Sequence, residues 1–191
     1  KTKRVPFIFE LRDIWPASIT AVGAMRSKWI ISILEKIELF LYKQSDLIIS
    51  VTNSFKSELK NRGILESKIK IVLNGVDLNL YKSKKEKNNF LLEKYNLQGK
   101  FVVGYIGTHG LAHALDSIVD AADLIRYQKN IKVLFAGGGA ERERIEQLVD
   151  DRNINNIVMI PRQPRDKIPE LLDICDASIV HLKDTSLFKT V

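Results

Sequence analysis

The sequence predicts an α/β protein built from two parallel β-sheets with helices packed on their faces. Short apolar runs alternate with helical patterns through most of the 191 residues, the order typical of parallel strands joined by crossover helices. A lysine-rich segment around residues 77–99 interrupts the alternation and indicates a linker between two domains. In the second half, two predicted strands end in glycine-rich loops. Ligands of open α/β sheets bind beyond the carboxyl ends of the strands, so these loops are the first candidates for a site.

In the first domain, three apolar runs are predicted to form strands and two amphipathic segments are predicted to form helices. Thr52 or Asn53 caps the second helix, and Gly63 ends it. In chain order the predicted elements are the strand Val5–Leu11, the loop Arg12–Pro16, the helix Lys28–Lys43, the strand Leu47–Val51, the helix ending near Arg62, the strand Ile69–Leu73 and the turn Asn74–Gly75.

The second domain follows the linker and a short predicted helix, Asn89–Tyr95. We place the boundary near residue 80, so that residues 1–80 form the first domain and residues 81–191 the second. The predicted elements alternate strictly: the strand Phe101–Ile106, the helix Ala112–Tyr127, the strand Ile131–Ala136, the helix Glu141–Asp151, the strand Ile157–Ile160, the helix Ile168–Cys175 and the strand Ala177–His181.

Composition excludes several classes of protein. The single cysteine excludes an internal disulfide, and no apolar run reaches the roughly 18–20 residues that cross a bilayer. The chain has no Asp-x-Asp motif and no His/Cys cluster, so we expect neither a metal nor another cofactor. The apolar run after the basic start stops at Glu10, which is not a signal-peptide pattern, and we expect a cytoplasmic protein.

Positive charge is concentrated in the first half of the chain. Residues 1–99 hold 18 Lys and Arg against 10 Asp and Glu, whereas residues 100–191 hold 12 against 13. This asymmetry indicates an anionic partner such as a membrane surface or a polyphosphate; we expect no nucleic acid, and a solvated basic face is the alternative. An apolar stripe from Trp29 to Leu41, accompanied by Arg26, Lys28, Lys36 and Lys43, could contact a membrane peripherally, although core packing also explains it.

The most informative segment is Phe101–Gly110, an apolar run that ends in Gly107 and Gly110 before a predicted helix. Glycine lets the backbone approach a ligand closely, and the amino end of the helix favours an anion, most commonly a phosphate. The spacing matches neither G-x-G-x-x-G nor a P-loop, and a turn that binds nothing is the alternative. Gly137–Gly139 forms a second such loop at the same predicted rim, which strengthens the case for a phosphate or sugar site.

Taken together, several motifs resemble the retaining GT-B glycosyltransferases of family 4, in particular bacterial enzymes that build surface polysaccharides. The resemblance is carried along nearly the whole chain by Arg12-Asp13-x-Trp-Pro, Asp46–Thr52, Val72–Asp77, Leu134–Gly139 and Cys175–Val180. It implies two Rossmann-like parallel-sheet domains, an acceptor domain followed by a donor domain, both incomplete in this chain. It further implies transfer of a sugar from a nucleotide-sugar, a UDP-sugar in particular, to a lipid-linked or glycan acceptor. We expect the 191-residue chain by itself to be inactive.

The resemblance also implies roles for particular residues. Arg12 and Asp13 would lie at the catalytic centre. Asp13 could orient an acceptor hydroxyl, or it could serve only to form the turn after the strand. The family's cations at the first glycine loop are replaced by Thr108 and His113, and its first-domain histidine is replaced by Arg12, which cannot act as a base. The expected donor-binding residues are Gly107, Thr108, His109, Gly110, His113, Gly138, Gly139, Glu141 and Arg162.

Other interpretations remain open at this point. The missing cations favour a non-catalytic module that binds a nucleotide-sugar or phosphate, and a GT-B sugar-nucleotide epimerase would share the fold. His109 and His113 could instead face solvent, Glu141 could serve only the helix dipole, and Arg162 could lie in a solvated loop. A sheet that lacks strands exposes edges that promote association, so a homo-oligomer is a further expectation.

Overall fold

The computed structural model describes residues 5–82 and 86–190, and it confirms an α/β fold with two parallel sheets. The described chain divides into two compact units. Residues 5–75 together with residues 184–190 form the first unit, and the remaining described residues between 76 and 183 form the second. Residues 184–190, which the sequence analysis assigned to the second domain, thus belong to the first unit.

The first unit is a three-stranded parallel sheet with the order β1-β2-β3 and helices around it. Its core joins Leu11, Ile48, Phe55 and Ile69 from the strands and α3 to Tyr42 of α2. The Thr52 hydroxyl accepts a hydrogen bond from the backbone N–H of Phe55 at 3.1 Å and so caps α3 as predicted. The elements are β1 (Ile8–Leu11), α1 (Ala17–Ala21), α2 (Lys28–Gln44), β2 (Leu47–Ser50), α3 (Asn53–Asn61) and β3 (Ile69–Ile71).

The second unit is a four-stranded parallel sheet with the order β6-β5-β4-β7. Its elements are α4 (Asn89–Lys94), β4 (Phe101–Thr108), α5 (Leu115–Leu124), β5 (Ile131–Gly138), α6 (Arg142–Asp151), β6 (Ile157–Pro161), α7 (Ile168–Asp173) and β7 (Ala177–Ser178).

The central strand β5 is buried on both faces, which explains its continuous apolar sequence. Val133 and Phe135 point into one core, formed largely with α5 and α6. Leu134 and Ala136 point into the other, formed with α7 and the end of α4. Because side chains alternate along a strand, one apolar run supplies both cores.

Local departures from the prediction concern the ends of elements. The helix predicted from Ala112 begins at Leu115, because a 3-10 turn, Leu111–His113, intervenes and Ala114 adopts a left-handed conformation with φ 42° and ψ 50°. The short helix α1 lies in a segment for which no element was predicted. The last predicted strand is shorter than expected, with only Ala177–Ser178 paired to β4.

Candidate functional site

The two glycine-rich loops lie side by side at the carboxyl edge of the second sheet. Gly107 pairs with Gly137, and Thr108 pairs with Gly138, in the parallel register of β4 and β5. They border a cleft of about 500 Å³ within the second unit. The residues that line it are Ile106, Gly107, Thr108, Ala136, Gly137, Gly138, Gly139, Arg162, Gln163 and Ile168. The cleft therefore lies where open α/β sheets bind their ligands, and its volume falls in the usual range for small-molecule sites.

Close approach of the two backbones explains why the second loop consists of glycine. A Cβ atom on Gly137 would lie 1.8 Å from the carbonyl oxygen of Gly107, and one on Gly139 would lie 2.4 Å from that of His109. Both glycines also have positive φ values, 153° and 150°, which residues with side chains rarely adopt. Any side chain at these positions would push the two loops apart.

Backbone hydrogen bonds hold the two glycine loops in a fixed position relative to each other. The backbone N–H of His109 donates to the carbonyl of Gly138 at 2.9 Å, and the backbone N–H of Glu141 donates to the carbonyl of His109 at 2.9 Å. The positions of the loop backbones at the cleft are consequently set before any ligand arrives. Backbone dipoles that are fixed in advance can stabilise a charge that develops during a reaction.

His109 lies behind the first loop and does not line the cleft. Its ring is 0% exposed and packs near the rings of Tyr105 and Phe135, at centroid distances of 5.9 and 6.1 Å. Neither ring nitrogen has a hydrogen-bond partner among the described residues. Burial lowers the pKa of His109, and the neighbouring Arg142 cation lowers it further, so the imidazole is neutral at pH 7.

Arg142 is a residue of the rim that the sequence analysis missed. Its Nη1 atom donates to the carbonyl oxygens of Gly137 at 2.6 Å and of Ile160 at 2.8 Å, and its guanidinium also pairs with Glu146. It thereby ties together the carboxyl ends of β5 and β6. The available signal was a cation in the first turn of a helix, where the dipole disfavours positive charge, three residues after Gly139.

Arg162 is the exposed cation that lines the cleft. Within the described part of the chain its guanidinium has no ion-pair or hydrogen-bond partner, so it is available to an anion. Thr108 also lines the cleft, and its exposed side chain offers a hydroxyl. Gln163, which sequence reasoning did not single out, also lines the cleft, and its side-chain amide donates to the carbonyl of Pro161 at 2.9 Å.

Three other predicted donor residues, Gly110, His113 and Glu141, lie outside the lining of the cleft. The backbone N–H of His113 donates to Gly110 at 3.0 Å in the 3-10 turn, and the carbonyl of His113 lies 2.6 Å from Nδ1 of His181. The Glu141 carboxylate pairs with Arg144 at 2.6 Å. The structure thus brings together Gly107, Thr108, Gly138, Gly139 and Arg162 of the predicted set.

The predicted catalytic pair, Arg12 and Asp13, lies in the first unit, directly after β1. Nη2 of Arg12 donates to Oδ1 of Asn74 at 3.0 Å, and Nη1 pairs with Glu10 at 3.3 Å. Both side chains are exposed. The hydrogen bond joins the Arg-Asp motif to the Asn-Gly turn, so two of the segments that carry the family resemblance meet at one edge of the first sheet.

Across residues 5–82 and 86–190, no three His, Cys, Asp or Glu side chains are grouped closely enough to hold a metal ion. In the same ranges, no helix is both long and apolar enough to cross a membrane.

Several solved structures share this fold. Anabaena HepE, in complex with UDP and glucose, has a TM-score of 0.73 at 19% identity, over 92% of this chain and 46% of that one. WaaG, a glycosyltransferase involved in lipopolysaccharide biosynthesis, has a TM-score of 0.68 at 12% identity, over 90% of this chain and 49% of that one. At these identities the likeness shows the fold alone, and it confirms the GT-B type of α/β fold.

The chain belongs to the glycosyl transferases group 1 family, whose family model matches residues 87–184. The model of glycosyltransferase family 4 matches residues 1–80. A curated relative, the putative colanic acid biosynthesis glycosyl transferase WcaI of Escherichia coli K12, is 30% identical over 81 residues, which cover 42% of this chain and 20% of that protein. The chain thus spans less than half the length of the known proteins that it resembles.

Proposed function

We propose that the cleft of the second unit binds a nucleotide-sugar, a UDP-sugar in particular, and that the protein transfers the sugar with retention to a lipid-linked or glycan acceptor in bacterial polysaccharide biosynthesis. The observation that carries this proposal is the pair of interlocked glycine loops facing the unpartnered Arg162. Support comes from the UDP bound to HepE and from the role in colanic acid biosynthesis that the name of WcaI states. Cytoplasmic nucleotide-sugars would be within reach of a protein at the inner face of the membrane.

The residues of the cleft suit a nucleoside diphosphate without a metal ion. Breaking the bond between the sugar and the diphosphate leaves negative charge on the departing phosphate. The Arg162 guanidinium, the Thr108 hydroxyl and the backbone at Gly138 and Gly139 line the space where that charge would develop. An arginine can bind phosphate oxygens through two parallel hydrogen bonds, which fixes the orientation of the phosphate as well as its charge.

Arg12 and Asp13 would act on the acceptor side of the reaction. The guanidinium of Arg12 donates hydrogen bonds and offers no acceptor, so it would bind a phosphate or hydroxyl oxygen. Its hydrogen bond to Asn74 already orients the guanidinium. Asp13 carries an exposed carboxylate next to it, which would orient a hydroxyl of the acceptor.

A non-catalytic module that binds a nucleotide-sugar or a phosphate is the second candidate. It is favoured by the sparse positive charge in the lining of the cleft, where Thr108 stands at the family's first cation position and Arg162 is the cation present. A GT-B sugar-nucleotide epimerase is a third candidate on the same fold, and its products would distinguish it from a transferase.

The test is to titrate the 191-residue chain with UDP, GDP and a panel of their sugars and to follow binding by ligand-observed NMR. We expect saturable binding of a UDP-sugar that Arg162→Ala weakens at least tenfold, since a hydrogen bond to a charged group contributes about 1.5–3 kcal/mol. Arg165→Ala is the matched control, because Arg165 is an exposed cation three residues away that does not line the cleft.

Two results would contradict the proposal. Absence of binding to a folded sample would remove the donor site, and equal weakening by Arg162→Ala and Arg165→Ala would show a diffuse charge effect in place of a built site. Transfer is tested on a chain extended to the length of the relatives, by incubating it with the bound nucleotide-sugar and membrane lipids and following release of UDP. Binding without release or transfer would support the non-catalytic module, and conversion of the sugar without an acceptor would support the epimerase.

A further inference from the structure

Arg142 occupies a position that disfavours a cation. It is the first residue of α6, where the positive end of the helix dipole repels a guanidinium. Its side chain is only 17% exposed, so the cation is also largely removed from water. Residues that break a local preference are commonly found where function requires them, which makes Arg142 a candidate for a role at the neighbouring cleft.

The hydrogen bonds of Arg142 are directed at the protein and not at the cleft. Its Nη1 atom donates to the carbonyl oxygens of Gly137 at 2.6 Å and of Ile160 at 2.8 Å. Its Nη2 atom pairs with the Glu146 carboxylate one turn along α6, which holds the guanidinium in place. Arg142 does not line the cleft, so it acts through the residues that it holds and not by contact with a ligand.

The first carbonyl belongs to the peptide that joins Gly137 to Gly138. Side chains on either side of a peptide restrict its rotation, and glycine removes that restriction. The pairing of Thr108 with Gly138 holds this peptide toward β4, and Arg142 holds its carbonyl oxygen. Because a peptide unit is planar, a fixed carbonyl also fixes the direction of the Gly138 N–H.

The second carbonyl lies near the end of β6, where the strand pairing lacks a donor. Gly137 is paired with Pro161 in the register of β5 and β6, and proline carries no backbone N–H. The Arg142 guanidinium supplies N–H groups to one carbonyl of each strand at this point. It thereby fixes the separation of the two strands where each one ends in a loop that lines the cleft.

That separation matters because the cleft takes its exposed cation from one strand end and its glycine backbone from the other. Arg162 directly follows β6, and Gly138 is the last residue of β5. A Cβ atom at Gly138 would lie 3.5 Å from the Cβ atom of Arg162, so Arg162 begins directly beside the glycine loop. A shift of β6 against β5 would therefore move the Arg162 guanidinium relative to the loop.

We propose that Arg142 is a positioning residue, which holds Arg162 and the Gly137–Gly138 peptide at the separation that a diphosphate requires. This role rests on the proposed binding of a nucleotide-sugar, whose diphosphate would bridge Arg162 and the glycine loop. Without Arg142, the Arg162 cation would remain, but it would no longer be held in one arrangement with the loop. The ligand would then have to order both parts on binding, which lowers its affinity.

Backbone NMR of the 191-residue chain without ligand tests the positioning directly. In the wild type we expect no exchange on the microsecond-to-millisecond timescale at the amides of Gly138 and Gly139, measured by relaxation dispersion. Arg142→Met should produce such exchange at both amides. The matched control is Arg144→Met, which removes a half-exposed ion pair of the same helix and should leave both amides unchanged.

A double-mutant cycle with UDP as the probe tests whether Arg142 acts through Arg162. Arg142→Met alone should weaken UDP binding about tenfold, a coupling typical of residues that share one network. Arg162→Ala should weaken UDP binding about tenfold in the wild-type background, but only about threefold or less in the Arg142→Met background, because the misplaced cation then contributes little. A residue that merely stabilised the unit would leave the effect of Arg162→Ala unchanged in folded samples.

A second variant keeps loss of positioning apart from loss of folding. Glu146→Ala removes the carboxylate that orients the guanidinium, at a side chain that is 38% exposed, and leaves Arg142 in place. It should produce the same exchange at Gly138 and a smaller loss of UDP affinity, about threefold. Far-UV circular dichroism verifies that each variant is folded.

Two results would overturn the proposal. The first is that the amides of Gly138 and Gly139 behave alike in the wild type, Arg142→Met and Glu146→Ala. The second is that Arg162→Ala weakens UDP binding equally with and without Arg142. If the wild type did not bind UDP but the variants showed the new exchange, the proposed nucleotide site would be contradicted and the positioning of the loop by Arg142 would be supported.

Discussion

The substitution Gly137→Ala tests whether the two glycine loops are held together by direct contact of their backbones. The new Cβ atom would lie 1.8 Å from the carbonyl oxygen of Gly107, whereas Cβ atoms in proteins essentially never come closer than 3.0 Å to another heavy atom. The loops would have to separate by more than 1 Å. That movement is enough to break the 2.9 Å hydrogen bond between His109 and Gly138.

The expected cost can be worked from these contacts. A residue with a side chain at φ 153° carries strain of about 1–3 kcal/mol, and each lost hydrogen bond removes about 0.5–1.5 kcal/mol. We therefore expect the free energy of unfolding of the second unit to fall by about 2–4 kcal/mol. Binding of a UDP-sugar should be lost as well, because the positions of Gly138 and Gly139 depend on the same hydrogen bonds.

Native-state hydrogen exchange is the suitable assay, because it measures each unit separately. Both tryptophans lie in the first unit, so their fluorescence would not report on this change. Peptides from residues 101–110 and 131–141 should exchange faster in the variant, and peptides of β2 and β3 should be unaffected. Gly75→Ala is the control, since a Cβ at Gly75 would have no neighbour within 4 Å. Equal protection of the loop peptides in Gly137→Ala and wild type would refute the reasoning.

Three further predictions concern stability. His109→Leu should raise the stability of the second unit by about 1–2 kcal/mol at pH 7, because it removes two buried ring nitrogens without partners. Burial lowers the pKa of His109 in the folded protein, so the unfolded chain binds the proton first as the pH falls. The free energy of unfolding of the wild type should therefore be highest above about pH 6.5 and decrease below it. Urea unfolding between pH 5 and 8 should show this decrease in the wild type and not in the variant. Arg142→Met should lower the free energy of unfolding in urea by about 2–3 kcal/mol, because the carbonyls of Gly137 and Ile160 lose their partner. The control Arg144→Met removes a half-exposed ion pair and should cost less than 1 kcal/mol. Equal costs for the two variants would contradict this prediction. Thr52→Ala should cost about 1 kcal/mol through the lost cap, seen as faster amide exchange in α3 with no change in α5.

The fold was largely readable from the sequence because the apolar pattern and the glycine positions agree. Strands such as β4 and β5 are short apolar runs with glycine at their ends, and crossover helices separate them. The start of α5 was not readable, since Ala114 adopts a left-handed conformation that sequence rules reserve for glycine and asparagine. Only the packing around the 3-10 turn selects that conformation.

The candidate site was readable for its backbone and much less so for its side chains. Gly107, Gly138 and Gly139 were singled out from their residue type, and all three line the cleft. Of these three, Gly139 alone lies where a Cβ atom would collide with another backbone. The direction in which His109 points depends on the side of β4 where the chain leaves the sheet, and no local pattern encodes it. Arg142 binds carbonyls of β5 and β6, a relation between distant segments that becomes visible only in three dimensions.

The pairing of Gly107 with Gly137 has a consequence for how β5 finds its place in the sheet. Because Val133 to Ala136 are apolar toward both faces, a shift of β5 by one residue would exchange one set of apolar side chains for another, and hydrophobicity would penalise it only weakly. In one direction this shift would set Ala136 in place of Gly137 against the carbonyl of Gly107, where the distance leaves no room for a methyl group. In the other direction it would set Gly138 there, and no methyl group would clash. The glycines that line the cleft therefore also help to fix the register of β5 against β4. A chain with β5 shifted so that Ala136 faced Gly107 would lose its strand pairing and its ligand site together.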